Sequence, residues 1–204
     1  DETDTYIKER IFDEIHFYDQ NFSFVSEKSG FNHLYWYNMN GTLVKQITSG
    51  NYELKEFLGY DEADGSFYYS SNEESPLQQA IYKVDRKGKK TKLSANAGTN
   101  SAQFSSNMKY YLNRFSNTTT PTVVTLNDNS GKVLTTLIDN AALKEKLSAR
   151  QLPQTEFFSF TTERGTELNG WMMKPTDFQA SKKYPVLMYQ YSGPGSQEVL
   201  DHYS

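Results

Sequence analysis

An apolar run, Tyr184-Pro185-Val186-Leu187-Met188-Tyr189-Gln190-Tyr191, leads straight into Ser192-Gly193-Pro194-Gly195, and this junction is where the sequence could do chemistry. Glycine has no side chain to obstruct approach, so a Gly-Pro-Gly loop after a strand lets backbone close on a ligand or on another chain segment. In open α/β sheets the carboxyl end of a strand is where ligands bind. A plain tight turn would use the same residues, so the junction alone leaves both readings open.

Other reactive side chains are sparse. Nucleophilic catalysis by a serine triad needs a Gly-x-Ser-x-Gly elbow, followed in chain order by an acid and a histidine in one large class. None of the glycines stands two positions before a serine, so no elbow occurs. The three histidines, His16, His33 and His202, read as ordinary structural or surface residues. Glu73-Glu74 is an adjacent acidic pair in a turn and reads as solvated. There is no His-Glu-x-x-His, no cysteine and no acidic run with calcium-loop spacing, so no metal site is expected. No phosphate-cradling glycine motif is present and no cofactor is expected.

Composition narrows the class further. A net charge of −4 and a pI near 5.5 give no basic field for phosphates, which argues against nucleic acid as a partner. No apolar run approaches the roughly 20 residues that span a bilayer. The opening DETDTYIKER is too polar for a signal peptide. Without cysteine the redox compartment stays undecided. Asn-x-Ser/Thr triplets at Asn21, Asn40 and Asn117 carry no weight in a chain this rich in Asn and Thr. Aromatics are 15 % of the residues, a mixture that favours pleated, half-buried strands over helices.

The elements that position the junction begin with a repeat. Leu34-Tyr35-Trp36-Tyr37 runs through Asn38-Met39-Asn40-Gly41 into a second strand, Leu43 to Thr48. Ile81 to Val84, Asp85-Arg86-Lys87-Gly88 and Lys90 to Leu93 repeat that phrase, as do Val123 to Leu126, Asn127-Asp128-Asn129-Ser130-Gly131 and Val133 to Leu137. The turn glycines fall 47 and then 43 residues apart, from Gly41 to Gly88 to Gly131. Earlier strands precede each hairpin: Phe22 to Ser26, then Phe57 to Tyr60 with Ser66 to Ser70, then Ala102 to Ser105 with Lys109 to Phe115. Four short strands per unit of this length mark a β-propeller blade, so about three blades are expected over residues 1–138. A β-sandwich also spaces its turns regularly and is the alternative. Tyr35, Trp36 and Tyr37 read as blade packing.

After the blades, Asp139-Asn140 can cap a helix from Ala141 to about Arg150, with Leu143 and Leu147 on one face. Pro153 ends it, giving a connector over residues 139–154. Strands resume as a hairpin, Glu156 to Thr162 and Thr166 to Lys174, around Glu163-Arg164-Gly165. The run Tyr184 to Tyr191 then reads as a strand buried on both faces, as parallel α/β sheets require. A second domain is therefore expected over residues 155–204, and the fold class is mainly β: a partial propeller followed by the first strands of an α/β domain.

The phrase Lys182-Lys183-Tyr184-Pro185-Val186-Leu187-Met188-Tyr189-Gln190-Tyr191-Ser192-Gly193-Pro194-Gly195-Ser196-Gln197 resembles the start of the hydrolase domain in the dipeptidyl peptidase IV family of prolyl oligopeptidase-type serine peptidases. The family carries a KKYPxLxxxYxGPxSQ-like phrase there. The resemblance extends back through Gly170-Trp171-Met172-Met173-Lys174-Pro175, the Asn140-Ala141-Ala142-Leu143 helix and the hairpins, in the family's order. It implies an α/β-hydrolase start after the blades, and an activity that releases N-terminal dipeptides with proline, or less well alanine, in second position.

It further implies that Tyr191 points its hydroxyl into the active site and helps stabilise the tetrahedral oxyanion. A phenol is neutral at pH 7 and donates well, which suits that role. The family's paired-glutamate motif, which holds the substrate amino terminus, is not matched by the surroundings of Glu73-Glu74. On this resemblance the chain is expected to be an excerpt without a complete triad, from a periplasmic or surface-exposed bacterial enzyme that is dimeric when intact. Another prolyl oligopeptidase-group peptidase and a non-catalytic binding propeller are the alternatives.

Overall fold

The computed structural model describes residues 14–191, 193 and 196–204. Between His16 and Ile138 it builds three four-stranded antiparallel sheets. The first holds β1 (His16–Phe17), β2 (Asn21–Ser26), β3 (His33–Asn38) and β4 (Leu43–Gln46). The second holds β5 (Leu54–Asp61), β6 (Ser66–Ser71), β7 (Ala80–Val84) and β8 (Lys90–Lys92). The third holds β9 (Thr99–Phe104), β10 (Tyr110–Asn117), β11 (Thr120–Asp128) and β12 (Val133–Ile138). In each sheet spatial order follows chain order, the meander of a propeller blade. The three expected hairpins are β3–β4, β7–β8 and β11–β12; the short β1 was not foreseen.

One turn closes all three hairpins. In each, an Asn or Asp carboxamide or carboxylate accepts the N–H four residues on, and a glycine between them donates to its carbonyl. Asn38 Oδ1 accepts from Thr42 N–H at 2.8 Å, Asp85 Oδ1 from Lys89 N–H at 2.9 Å and Asp128 Oδ1 from Lys132 N–H at 3.1 Å. Gly41, Gly88 and Gly131 donate to the carbonyls of Asn38, Asp85 and Asp128. Their φ angles are +83°, +86° and +92°, a region that a Cβ disfavours, which is why the repeat shows as glycines at fixed offsets.

Burial is set by the alternation of side chains across each strand. All six residues of β6 are buried, with Phe67 and Tyr69 facing blade 1 and Tyr68 facing blade 3. On β7 Ala80, Tyr82 and Val84 join the first cluster and Ile81 the second. Blade 2 is thus clad on both faces: one core holds Val25, Leu34, Leu54 and Phe57, the other Leu93, Met108 and Tyr111. The outer strands β4, β8 and β12 are largely exposed.

The seam between blades 2 and 3 carries polar fastenings as well. Asp61, only 5 % exposed, accepts from Lys109 Nζ at 2.9 Å. Gln79 at the edge of blade 2 donates its N–H to Gly98 and accepts from Asn100 N–H at 2.9 Å and Nδ2 at 3.0 Å. Gly98 has φ +137°, and a Cβ there would lie 2.5 Å from the carbonyl oxygen of Ser116, so the seam requires glycine.

Beyond the blades, helix α1 (Ala141–Ser148) is shorter than expected. Its entry also differs: Asn140 sits in the left-handed region at φ +50° and its Nδ2 donates to Thr122 O at 2.6 Å, while Asp139 Oδ1 accepts from Ala141 N–H at 3.0 Å. No helical residue is buried. The hairpin β13 (Thr155–Thr161) and β14 (Glu167–Met173) forms as expected, paired from Thr155–Met173 to Thr161–Glu167. Both of its faces carry large apolar side chains, and Phe158, Phe160, Trp171 and Met173 are exposed.

Truncating Ile81 to Ala empties the second core and should cost about 2–5 kcal/mol in denaturant unfolding, whereas Val133→Ala on exposed β12 should stay within about 0.5 kcal/mol. Tyr111 is buried against Phe104 and Leu93, and burial pushes its phenol from 10.0 up to about 12. Above pH 10.0 the unfolded chain releases a proton that the folded chain keeps, so this contribution to stability is full below pH 10.0 and is lost as pH rises towards about 12. Tyr111→Phe should flatten the fall in stability across that window, as measured by unfolding at stepped alkaline pH.

Candidate functional site

Tyr191 stands at the end of an irregular stretch that begins after Met173. Pro175 O accepts from Phe178 N–H, and Gln179 N–H donates to the Tyr184 hydroxyl at 3.0 Å. The rings of Phe178 and Tyr184 stack at 5.1 Å, with the Lys174 ammonium 5.5 Å from the Phe178 ring. These contacts close the polar loop between Asp177 and Lys183.

The segment Tyr184–Tyr191 departs from expectation. It forms no strand, and Val186, Leu187 and Met188 are 89 %, 96 % and 81 % exposed. The apolar pattern is that of a strand clad on both faces, but a parallel strand takes every ladder hydrogen bond and all its packing from neighbours. Among the described residues no strand lies alongside it. Periodicity reports what a segment can bury, and burial needs a partner.

Tyr191 is 64 % exposed, with its ring folded back over Gly193. A Cβ on Gly193 would meet the ring at 2.7 Å and the hydroxyl oxygen at 2.9 Å, so the missing side chain makes room for the phenol. Ser196 turns the chain there, donating from its N–H at 3.1 Å and its Oγ at 2.7 Å to the Gly193 carbonyl. The rest of the Ser192-Gly193-Pro194-Gly195 turn lies outside the described residues.

The remaining candidates are structural. His33 is buried, its Nε2 donating to Gly50 O at 2.9 Å and its Nδ1 3.1 Å from the Thr48 hydroxyl. Thr48 Oγ1 already accepts from Leu34 N–H, so its proton is free to go to Nδ1. His16 lies edge-on to Phe57 at 5.2 Å, and burial lowers its pKa from 6.5. His202 Nδ1 lies 3.3 Å from Leu200 O. Glu73 and Glu74 pair with Lys90 and Lys92 of β8, so the acidic pair is matched by the outer strand of its own blade. Among the described residues no group of three or more His, Asp or Glu could hold a metal, and no helix is long and apolar enough to cross a membrane.

Motif reasoning did not find the seat of the segment that follows Tyr191. Residues from Gln197 to Tyr203 lie on blades 2 and 3, with Asp201 at the centre. Its partners are 83 to 124 positions away in sequence, a separation at which no local pattern gives a signal.

Three meandering four-stranded sheets in succession, followed by a connecting helix and a hairpin, are blades of a β-propeller. A family model for the dipeptidyl peptidase IV (DPP IV) N-terminal region matches residues 1–122, and the chain belongs to that family. It is 32 % identical over 178 residues to a probable dipeptidyl peptidase 4 of Aspergillus flavus, covering 86 % of this chain and 23 % of that protein. The dipeptidyl peptidase 4 of Arthroderma otae is likewise 32 % identical, over 180 residues, with the same coverage. The crystal structure of Porphyromonas gingivalis dipeptidyl peptidase 4 superposes with a TM-score of 0.94 at 47 % identity, covering 99 % of this chain and 29 % of that one. A putative dipeptidyl aminopeptidase IV from Bacteroides ovatus gives a TM-score of 0.78 at 25 % identity, over 93 % of this chain and 30 % of that one. The chain therefore spans about a quarter of the length of the curated relatives that it matches.

Proposed function

We propose that this chain is part of a serine-type dipeptidyl peptidase that releases N-terminal dipeptides with proline, or less well alanine, in second position. One observation carries the reading: at 47 % identity the chain follows a dipeptidyl peptidase 4 structure over 99 % of its length. The domain reading accompanies it: blades over residues 1–138, a connector over 139–154, and the opening of the α/β-hydrolase domain from 155 to 204. Export to the periplasm or cell surface and dimerisation belong to the same proposal.

In this mechanism a serine from another segment of the protein gives its proton to a base outside these residues and attacks the carbonyl carbon of the second residue, and the electron pair of the carbonyl moves to oxygen. Tyr191 donates its phenolic O–H to that oxyanion. The phenol is uncharged at neutral pH, so it can stand near the peptide without the desolvation cost of an ion. As the intermediate collapses, the base passes that proton to the leaving nitrogen, so the shortened peptide departs as its amine and the dipeptide remains esterified to the serine. Water then repeats the attack, again through an oxyanion at Tyr191, and frees the dipeptide. Because the hydrogen bond strengthens as negative charge develops, it acts on turnover more than on binding.

Tyr191→Phe in the intact peptidase should lower kcat by about 10²–10³, the usual range for one oxyanion donor, with KM within about threefold. Unchanged kcat would remove Tyr191 from the oxyanion site. The purified 204-residue chain should show no turnover of a glycyl-prolyl chromogenic substrate that a serine-directed inhibitor can block. Inhibitor-sensitive turnover would place a nucleophile within these residues.

A further inference from the structure

Asp201 spends all three of its polar groups on the seam between blades 2 and 3. Its N–H donates to Leu77 O at 2.7 Å, in the loop between β6 and β7 of blade 2. Its carbonyl accepts from the Thr99 hydroxyl at 2.9 Å, at the start of β9 in blade 3. Its carboxylate accepts from Thr118 N–H at 2.9 Å, in the turn between β10 and β11. Leu77 and Thr99 flank the Gln79–Gly98–Asn100 bonds that close the seam, so the aspartate sits where the two blades meet.

Neighbouring residues extend the grip. Gln197 Nε2 donates to Pro76 O at 3.3 Å and to Val199 O at 2.9 Å, and Tyr203 N–H donates to Ser116 Oγ at 3.2 Å. Upstream, Ser196 donates from its N–H and Oγ to the Gly193 carbonyl, and Gly193 lies against the Tyr191 ring. Asp201 follows Tyr191 by ten positions, which as free chain could reach about 33–36 Å. The Ser196 bonds to Gly193 and the contacts of Gln197 to Tyr203 with the blades restrict that freedom.

We propose that Asp201 is a positioning residue for Tyr191: it fastens the loop after the tyrosine to the seam of blades 2 and 3, so that the propeller determines where the phenol stands. This inference rests on the reading of Tyr191 as the oxyanion donor. An oxyanion donor contributes only at its productive distance, and a displacement of about 1 Å can cost on the order of 10²-fold in rate. An anchor in the propeller also means that the two domains need not be independent for catalysis: opening of the seam displaces the donor.

The test uses the intact peptidase with a glycyl-prolyl chromogenic substrate. Asp201→Ala should lower kcat by about tenfold or more with KM within about twofold, and Asp201→Asn, which keeps an acceptor for Thr118 N–H, should restore kcat to within about threefold of wild type. Added to Tyr191→Phe, Asp201→Ala should cause no further loss, because the group that it positions is already gone. Should Asp201→Ala fail to fold, Thr99→Val removes only the hydroxyl that donates to the Asp201 carbonyl and should lower kcat severalfold in the same non-additive way.

Full kcat in a folded Asp201→Ala enzyme, or a loss that simply multiplies with that of Tyr191→Phe, overturns the inference. If Tyr191→Phe itself keeps full kcat, the oxyanion reading falls instead, and the two failures are told apart by that single variant.

Discussion

The alternation of side chains across β6 and β7 is the constraint on which the rest of this structure depends. Tyr68 and Tyr69 are neighbours in sequence and both wholly buried, yet they lie in different cores, one against blade 3 and one against blade 1. A strand can do this only if both faces of its sheet are covered, so blade 2 cannot hold its shape without a neighbour on each side. A one-residue slip in register would exchange the two sets and send each into the wrong core. The Asx-Gly turns fix the register of the last hairpin of each blade, β7–β8 in blade 2, through a side-chain acceptor and a positive φ.

The seams that result are more than apolar contact. Between blades 2 and 3 the ion pair of Asp61 with Lys109, the bonds of Gln79 to Gly98 and Asn100, and the close approach at Gly98 combine to form one rigid edge. A buried carboxylate such as Asp61 needs its partner, since an unpaired charge in that position would be costly. The loop after Tyr191 comes to rest on this edge. The tyrosine ring itself is exposed; the Phe178–Tyr184 stack precedes it in the chain, and the Ser196 bonds to Gly193 and the Asp201 clamp follow it.

The exposed apolar surface is the other face of the same principle. The β13–β14 hairpin and the run Val186-Leu187-Met188 carry residues of a core with nothing packed on them among the described residues. In the blades such residues are covered because the repeat supplies the next sheet. In the segment before Tyr191 no neighbouring strand lies among the described residues to supply the ladder, and the backbone there is irregular.

Much of the fold was legible in the sequence. The three hairpins, their turn glycines, the helix after Asn140 and the β13–β14 pairing are local features, set by turn chemistry and by side-chain period within a few residues, so spacing alone determined them. The family phrase around Tyr191 was legible as well, as was the lack of a serine elbow. What only the tertiary structure decided involves long separations: which face of blade 2 meets which core, the pairing of Glu73 and Glu74 with lysines, the failure of Tyr184–Tyr191 to become a strand, and the docking of Asp201 on residues 83 to 124 positions away. Each of these depends on a partner that the chain brings close only by folding, and no period or motif in one segment records the identity of another.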